Sequence, residues 1–238
     1  SHEPRVIVAI PTYNERENLP SLVQTVLNLG SNYTVIIADD NSPDGTGKVA
    51  DQLATAHPDR VIVIHRPGKQ GIGPAYRAAF ALALTMPAEV IAQMDADHSH
   101  DPRDLPRLVE ALACADLALG SRYVAGGSTN GWPFYRQLIS RLGGLYARLV
   151  LGVPIADLTS GFKAYRRQAL EAIALDAVRS DGYCFQIETT YRALQRGCRV
   201  VEVPITFVDR VAGKSKLSRR IVLEAMVVVW RLRWSALR

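Results

Sequence analysis

The stretch "RVIVAI" at residues 5–10 decides the fold class of this chain. Five of its six residues are apolar and four are β-branched, so it predicts a strand that is buried on both faces and ends at Pro11. Similar short runs follow at residues 34–38, 61–64, 89–94 and 116–120. Strands buried on both faces are typical of parallel sheets, because helices cover both sides of such a sheet.

Helical segments separate these runs. We predict helices over residues 19–29, 47–56, 75–84 and 105–112. Strands that alternate with helices predict a mostly parallel, doubly wound α/β sheet with helices on both faces. After Gly120 the alternation stops. There the sequence predicts a helix within residues 130–152, a strand at 200–210 broken at Pro204, and a last helix from about Ser218.

Composition and residue spacing disfavour several classes of protein. With 238 residues, 48% of them apolar, the chain can bury a sizeable core. Its three cysteines share no C-x-x-C spacing, which disfavours a zinc site or a disulfide framework. No apolar run approaches the ~20 residues that a membrane-spanning helix needs. We therefore expect a soluble or peripheral protein of a reducing compartment.

Charge is distributed unevenly along the chain. Residues 199–238 contain nine Lys and Arg against three Asp and Glu, whereas residues 1–198 contain 19 basic and 20 acidic residues. The net charge of +5 therefore comes from the C-terminal part, which predicts an anionic partner there. No recognisable nucleic-acid-binding module accompanies the basic residues, so we expect no nucleic acid partner.

Polar clusters follow three of the predicted strands, at residues 11–19, 39–47 and 95–102. Tyr13 offers a ring face and Glu15 an acceptor, while Asp39 and Asp40 can accept hydrogen bonds from a base or a ribose. Each cluster alone is compatible with an ordinary turn or cap. All three fall on the edge of the predicted sheet where ligands bind in open parallel sheets, which favours a ligand site. The chain lacks G-x-G-x-x-G after the first strand and a P-loop lysine, which disfavours dinucleotide and P-loop sites.

The third cluster places Asp95 and Asp97 directly after a buried strand, followed by two histidines. Partly buried carboxylates repel each other and lose hydration, so a positive charge is expected beside them, either a metal ion or a basic side chain. Zinc is disfavoured, because His98 and His100 would point to opposite sides of an extended segment.

Seven motifs carry a resemblance to a known family: "IPTYNERENLP", "ADDNSPDGT", "MDADHSH", "LALGSRYV", "GWPFYRQLIS", "TSGFKAYRR" and "ITFVDRVAGKSKL". In this order they resemble the dolichyl-phosphate or polyprenyl-phosphate mannose synthases of glycosyltransferase family two, over nearly the whole chain. The first three are general to nucleotide-sugar transferases, and the last four are more specific to this branch. The resemblance implies a GT-A, Rossmann-like fold in one domain, 1–238. It comprises a nucleotide-binding half (1–120), an acceptor half (121–217) and a C-terminal interfacial helix (218–238).

The same resemblance implies which residues bind the substrates, GDP-mannose and a polyprenyl monophosphate. It assigns the donor to Pro11, Tyr13, Glu15, Ala38, Asp39, Asp40, Asp95, Ala96, Asp97, Arg122, Arg210 and Lys216. It implies Mg²⁺ or Mn²⁺ bound by Asp97 as principal ligand, with Asp95 touching the ribose or the metal and Ser99 as a further ligand. Some relatives have Gln at the position of Ser99, whose hydroxyl is a weaker ligand. It assigns the acceptor phosphate to Arg122, Arg136 and Ser140, and the catalytic charges to Asp97, Arg122, Arg136, Arg210 and Lys216.

The acceptor chemistry predicts a mechanism without a general base. A phosphate monoester has a second pKa of about 6, so its attacking oxygen is already ionised at neutral pH. The protein has to position two anions and screen their charges. The resemblance implies inversion, from the α-mannosyl donor to a β-mannosyl phosphate. A loop at residues 209–216 is a candidate lid over the donor phosphates.

Two segments suggest action at a membrane. Residues 132–150 and the C-terminal helix mix aromatic and aliphatic residues with arginines, as interfacial helices do, although packing against the sheet would explain either pattern as well. Many family members carry membrane-spanning helices after this point. We therefore expect an enzyme at the cytoplasmic face of an anionic membrane, peripheral or held by an anchoring partner protein.

Two alternatives to this function stay open. The same fold and mechanism could use another donor, such as UDP-glucose, or another acceptor, because single residues around Tyr13 and Asp40 do not settle the choice of nucleotide. A different class is a non-catalytic basic peripheral protein that binds anionic lipid or RNA. It predicts tolerance of Asp97→Asn, whereas the enzyme predicts loss of turnover.

Overall fold

The computed structural model describes residues 3–209 and the helix at 219–235, with side chains of that helix over 226–234. The strands are β1 (Val6–Thr12), β2 (Tyr33–Asp39), β3 (Val61–His65), β4 (Val90–Gln93), β5 (Leu117–Ser121), β6 (Ser128–Asn130), β7 (Lys163–Arg166), β8 (Val200–Pro204) and β9 (Thr206–Val208). The helices are α1 (Leu19–Leu27), α2 (Thr46–Ala56), α3 (Ile72–Ala83), α4 (Leu105–Ala111), α5 (Phe134–Leu151), α6 (Arg167–Ala172), α7 (Gly182–Gln195) and α8 (Arg219–Ser235).

The central sheet has the order β3-β2-β1-β4-β7-β5-β8. Its strand pairs are parallel except for those of β7, which runs antiparallel to both β4 and β5. Apolar layers cover both faces. One contains residues of α3, α5, α7 and α8, and the other contains residues of α1 and α4. The prediction of a mostly parallel α/β sheet with helices on both faces is confirmed.

Several predicted bounds are wrong by a few residues. Pro11 lies inside β1 instead of ending it, which is possible because pairing with β4 stops at Ala9 and only β2 continues alongside. The third helix begins at Ile72, before the predicted start, and the first ends at Leu27. The predicted break at Pro204 is confirmed, because β8 ends there and stays in the central sheet while β9 pairs with β6 in a small second sheet.

The inserted strand β7 was not predicted. It has four residues, "KAYR", and its lysine would ordinarily mark a surface position. Lys163 is fully buried, and its Nζ donates to the Gln186 carbonyl (2.8 Å) and to the Thr189 hydroxyl (3.0 Å). Burial lowers the pKa of Lys163 well below its ordinary value. These partners lie on α7, so β7 also ties the sheet to that helix.

Two helices expose much of their apolar surface. The 18-residue α5 buries only Gly144, Ala147 and Leu151. Its exposed apolar side chains are Phe134, Tyr135, Leu138, Ile139, Leu142, Leu145 and Leu149. Over the described side chains of α8, Met226, Val227, Trp230 and Trp234 are exposed as well. Among the helices described, none combines the length and the hydropathy required to cross a bilayer.

Candidate active site

A cleft opens where β1, β2 and β4 end, as expected for an open parallel sheet. We call it the strand-end cleft. Its walls include seven of the predicted donor residues: Pro11, Tyr13, Glu15, Asp40, Asp95, Ala96 and Asp97. Ala38 and Asp39 are buried at the end of β2. The structure therefore brings together the polar clusters that follow three different strands.

Asp97 is held by the segment that follows it. One of its carboxylate oxygens, Oδ1, accepts hydrogen bonds from the backbone N–H of Ser99 (3.1 Å) and from the Ser99 hydroxyl (2.6 Å). Ser99 thus orients the carboxylate of Asp97. Direct metal ligation by Ser99 stays a prediction.

The two histidines have different surroundings. His98 adopts a positive φ of 59° and its Nε2 lies 3.0 Å from the Ser21 hydroxyl. His100 is buried, stacks on Phe162 at 5.0 Å between ring centroids, and accepts a hydrogen bond from the Asp95 backbone N–H (3.2 Å). Burial lowers the pKa of His100 although the neighbouring carboxylates oppose this, so a neutral imidazole is favoured. His100 therefore supports the backbone of Asp95.

The donor set of the strand-end cleft fits a divalent cation that prefers oxygen ligands. Asp95 and Asp97 line one cleft, and within residues 3–209 and 226–234 no group of three His, Cys, Asp or Glu side chains is placed to hold a metal ion. Two carboxylates leave most coordination positions to other oxygens, as is usual for Mg²⁺ or Mn²⁺ shared with substrate phosphates. The residues present therefore suit such an ion better than zinc.

Asp39 and Asp40 already have protein partners. Asp39 accepts from the hydroxyls of Thr12 (2.9 Å) and Ser42 (2.6 Å), which fixes the turn after β2. Asp40 forms a buried ion pair with Arg66 and accepts from the Gln70 backbone N–H (3.2 Å). Asp40 therefore anchors the loop before α3 to the floor of the cleft.

That loop carries a residue that sequence reasoning missed. The Nζ atom of Lys69 lies 4.1 Å from the centre of the Tyr13 ring, within the range of a cation–π contact. Lys69 is the single basic residue among the described residues that line the strand-end cleft, beside Glu15, Asp40, Asp95 and Asp97. The Gly-rich sequence "RPGKQGIG" (66–73) could have indicated this loop, but it matches neither the G-x-G-x-x-G motif nor the P-loop motif.

Arg122, at the end of β5, is buried against Asp157. Its Nε and Nη2 donate to the two carboxylate oxygens at 2.7 and 2.6 Å, and Nη2 also donates to the Thr159 hydroxyl at 2.7 Å. Burial alone would raise the pKa of Asp157, but the Arg122 guanidinium holds that pKa below its usual value. Charge attraction likewise raises the pKa of Arg122 against the effect of burial. Both partners are therefore charged at neutral pH.

A second cavity, which we call the helical groove, lies between α5, α7 and α8. Arg122, Arg136 and Ser140 line it, so the structure brings the three predicted acceptor residues together. Most other lining residues are apolar: Trp132, Ile139, Gly143, Gly144, Ala147, Ile187, Met226 and Val229. The groove therefore combines cationic side chains with a long apolar wall.

Arg136 has two neighbours inside the fold. It forms an ion pair with Asp209 (2.9 Å), and its guanidinium lies 4.2 Å from the Trp132 ring centre. The hydroxyl of Tyr123 donates a hydrogen bond to the Ser140 hydroxyl (2.6 Å), which helps to fix Ser140 in the groove. The predicted residues Arg210 and Lys216 lie outside the described residues, as does the candidate lid apart from its first residue, Asp209.

Strand register explains why the cleft and the groove share an edge of the sheet. Gln93 on β4 and Leu119 on β5 both pair with Lys163 on β7, and the two outer strands point the same way. Asp95 lies two residues beyond this line and Arg122 three residues beyond it. The carboxylates and the arginine therefore emerge at the same edge, separated by one strand.

Comparison with known proteins defines the class. The family model described as "Glycosyl transferase family 2" matches residues 7–174. The chain belongs to this family and is a glycosyltransferase, which confirms the prediction of an enzyme of this class.

Two relatives confirm the resemblance to polyprenyl-phosphate mannose synthases. The polyprenol monophosphomannose synthase of Mycolicibacterium smegmatis is 52% identical over 96% of this chain and 88% of its own length. The undecaprenyl-phosphate mannosyltransferase of Micrococcus luteus is 49% identical over 98% of each chain.

Solved structures confirm the fold at lower identity. Glucosyl-3-phosphoglycerate synthase from Mycobacterium tuberculosis superimposes with a TM-score of 0.69 at 19% identity, covering 97% of this chain and 80% of that one. A mannosyltransferase from Pyrobaculum calidifontis in complex with GDP-Man and Mn²⁺ gives a TM-score of 0.61 at 16% identity, covering 100% and 75%.

Proposed function

We propose that this enzyme transfers mannose from GDP-mannose to a polyprenyl monophosphate, giving polyprenyl-phosphate β-mannose and GDP. The observation that carries the proposal is the helical groove, which combines Arg122, Arg136 and Ser140 with an apolar wall. A lipid monophosphate has these two parts, a compact anion and a long hydrocarbon chain. The names of two relatives about 50% identical over nearly the whole chain support the same acceptor class.

The strand-end cleft suits the donor. Tyr13 presents a ring on which a base can stack, and carboxylates on three strand ends can accept from the ribose or hold a cation. Lys69 adds a positive charge beside this ring. The complex of a structural neighbour with GDP-Man and Mn²⁺ supports this donor and metal.

Asp95 and Asp97, with Ser99 behind Asp97, would hold Mg²⁺ or Mn²⁺ against the donor diphosphate. Such an ion neutralises the charge that accumulates on the departing diphosphate. In the reaction an acceptor phosphate oxygen bonds to the anomeric carbon, the bond from that carbon to the diphosphate oxygen breaks, and its electron pair leaves with GDP. Inversion of the anomeric carbon follows from the family resemblance.

The protein contributes charge and position to this step. Arg122 cannot lose its proton, because Asp157 faces it in a buried pair. Arg136 lies beside the same groove, so two guanidiniums can meet an incoming phosphate dianion. The acceptor oxygen is already ionised at neutral pH, so no side chain has to act as general base. Arg210 and Lys216 belong to the same proposed set.

Membrane contact is part of the proposal. The exposed apolar residues of α5 and α8 lie on the two helices that wall the helical groove, so a lipid tail leaving the groove would meet the bilayer there. The basic C-terminal part suits an anionic surface, which we place at the cytoplasmic face of a membrane. An anchoring partner protein remains part of this proposal.

The test is transfer of labelled mannose from GDP-mannose to a short polyprenyl phosphate, with and without EDTA. Lipid-linked mannose that forms only without chelator supports the proposal, and full activity in EDTA contradicts it. Thermal-shift measurements with GDP, UDP and Mn²⁺ test the donor separately. Stronger stabilisation by UDP would reject the mannose assignment in favour of another nucleotide sugar.

A further inference from the structure

Asp95 has a hydrogen-bond donor that no sequence motif indicates. Its Oδ1 atom accepts from the hydroxyl of Tyr76 at 3.1 Å. Tyr76 lies 19 positions earlier, on α3, and its side chain is fully buried. The contact connects the helical layer on one face of the sheet with the strand-end cleft.

The ring of Tyr76 has little freedom to move. It stacks on Phe80 and on Phe185, with 5.7 Å between ring centroids in both pairs and interplanar angles of 24° and 6°. Phe185 belongs to α7, so two helices fix the ring. The position of the hydroxyl is therefore determined by core packing instead of by a freely rotating side chain.

The hydroxyl is the donor in this contact, because the oxygen of an ionised carboxylate can only accept a hydrogen bond.

We propose that Tyr76 is a positioning residue of the metal-binding site, where its hydroxyl fixes the Asp95 carboxylate in the orientation in which that carboxylate meets the cation and the nucleotide. This role rests on the proposed function. Engaging one carboxylate oxygen restricts rotation of the group, and His100 fixes the backbone of the same residue. Partners that orient a ligating carboxylate typically contribute 10–100-fold to metal affinity.

Tyr76→Phe removes the hydroxyl and keeps the aromatic stack. We expect Mn²⁺ affinity in the presence of GDP, measured from free Mn²⁺ by electron paramagnetic resonance, to fall about tenfold or more. An affinity within twofold of the wild type in a folded variant would overturn the proposal. If the wild type itself bound no Mn²⁺ with GDP, the proposed metal site would be wrong and the role of Tyr76 with it.

Two tyrosines of the same core provide matched controls. The hydroxyl of Tyr191 is buried without a hydrogen-bond partner among the described residues, so Tyr191→Phe removes an oxygen and no such contact. Tyr165→Phe removes a buried hydrogen bond to Gln93 (3.1 Å) and leaves Asp95 untouched. Both should keep Mn²⁺ affinity within twofold. An equal loss in Tyr165→Phe would show that general loosening of the core, not positioning of Asp95, is measured.

A measurement on the wild type keeps the proposal testable if Tyr76→Phe does not fold. In a crystal with GDP and Mn²⁺, we expect the Tyr76 hydroxyl within hydrogen-bond distance of Asp95 while that carboxylate contacts the metal or the ribose. An Asp95 side chain turned away from Tyr76 in the loaded enzyme would overturn the role.

Discussion

The strand-end cleft and the helical groove share one edge of the sheet but are built by different means. The cleft is formed by loops after buried strands, and its acidic side chains are fixed by local hydrogen bonds such as those from Ser99 to Asp97. The groove is formed by helices, and its polar end depends on partners far apart in sequence, such as Arg122 and Asp157. Short motifs therefore bring the acidic residues to the cleft, where Asp40 and Asp95 also have distant partners in Arg66 and Tyr76. The polar end of the groove depends mainly on tertiary packing.

The largest expected effect comes from breaking the ion pair at the polar end of the groove. Asp157→Asn leaves the buried Arg122 without its negative partner, and we expect the free energy of unfolding to fall by about 3–5 kcal/mol. Urea denaturation at pH 7 measures this loss. Asp116→Asn removes a carboxylate from an exposed pair with Arg199 and should cost at most about 1 kcal/mol. Equal losses would show that the Arg122–Asp157 pair is no more important than a surface pair.

The same pair predicts a pH dependence. Although burial acts in the opposite direction, Arg122 lowers the pKa of Asp157 in the folded state. The stabilisation is therefore complete above the unfolded pKa of about 3.9 and is lost as pH falls through the lower folded pKa. The stability difference between wild type and Asp157→Asn should be constant from pH 7 to about pH 5 and shrink below about pH 4. A constant difference down to pH 2 would contradict this.

The next largest effect is expected from a carboxylate of the cleft, Asp97. Asp97→Asn removes a proposed metal ligand but keeps an oxygen that can accept from Ser99, so the fold should persist while mannose transfer falls by about a hundredfold or more. Initial rates and a thermal melt measure the two quantities. Asp101→Asn is the control, because Asp101 pairs with Arg103 outside the cleft lining. Rates above a tenth of the wild type for a folded Asp97→Asn variant would show that Asp97 is not a principal metal ligand in the transfer reaction.

A smaller effect concerns the apolar face that distinguishes the groove from the cleft. Leu142 and Leu149 on α5 are 56% and 70% exposed, so Leu142→Glu with Leu149→Glu should leave thermal stability nearly unchanged. Binding to anionic vesicles should weaken by at least about tenfold, since burying a leucine is worth roughly 1.5–3 kcal/mol. Vesicle sedimentation measures it. Gln24→Glu on the exposed face of α1 controls for the added charge. Unchanged sedimentation of the double variant would remove α5 from the proposed membrane contact.

The smallest expected effect concerns the basic residue of the cleft, Lys69. Lys69→Met removes the positive charge beside Tyr13, and we expect GDP to bind about threefold to tenfold more weakly, the worth of an exposed cation contact of roughly 1 kcal/mol. Calorimetry measures the affinity. Lys48→Met on α2 makes the same charge change outside the cleft and should leave it unaltered. Equal weakening in both variants would mean that only the overall charge matters.

The elements that the sequence predicts correctly are those whose apolar residues follow a simple pattern. Continuous apolar runs correctly predicted β1 to β5, and polar residues that follow three of these strands lie together in the cleft. Helix α7 was missed, because buried polar residues interrupt its apolar pattern. These residues are Gln186, Glu188, Thr189 and Thr190.

Contacts between distant residues could not be predicted. Arg122 and Asp157 are 35 positions apart, and Tyr76 and Asp95 are 19 apart, with no local pattern that connects either pair. The resemblance supplied Arg136 and Ser140, but only the packing of α5 shows them beside Arg122 in one groove. Which of these side chains share a site therefore depends on where the fold places them, and residue type alone does not show it.

The antiparallel strand β7 lies between the strands that carry the strand-end cleft and the helical groove, so it determines the spacing of these two sites. Neighbouring strands lie about 4.8 Å apart, so β4 and β5, with β7 between them, are separated by about 10 Å. This separation is maintained by backbone hydrogen bonds of the central sheet and not by a hinge between two lobes. Donor and acceptor sites built on it would keep a constant spacing through the catalytic cycle, so the enzyme would not need to close one half of the protein onto the other.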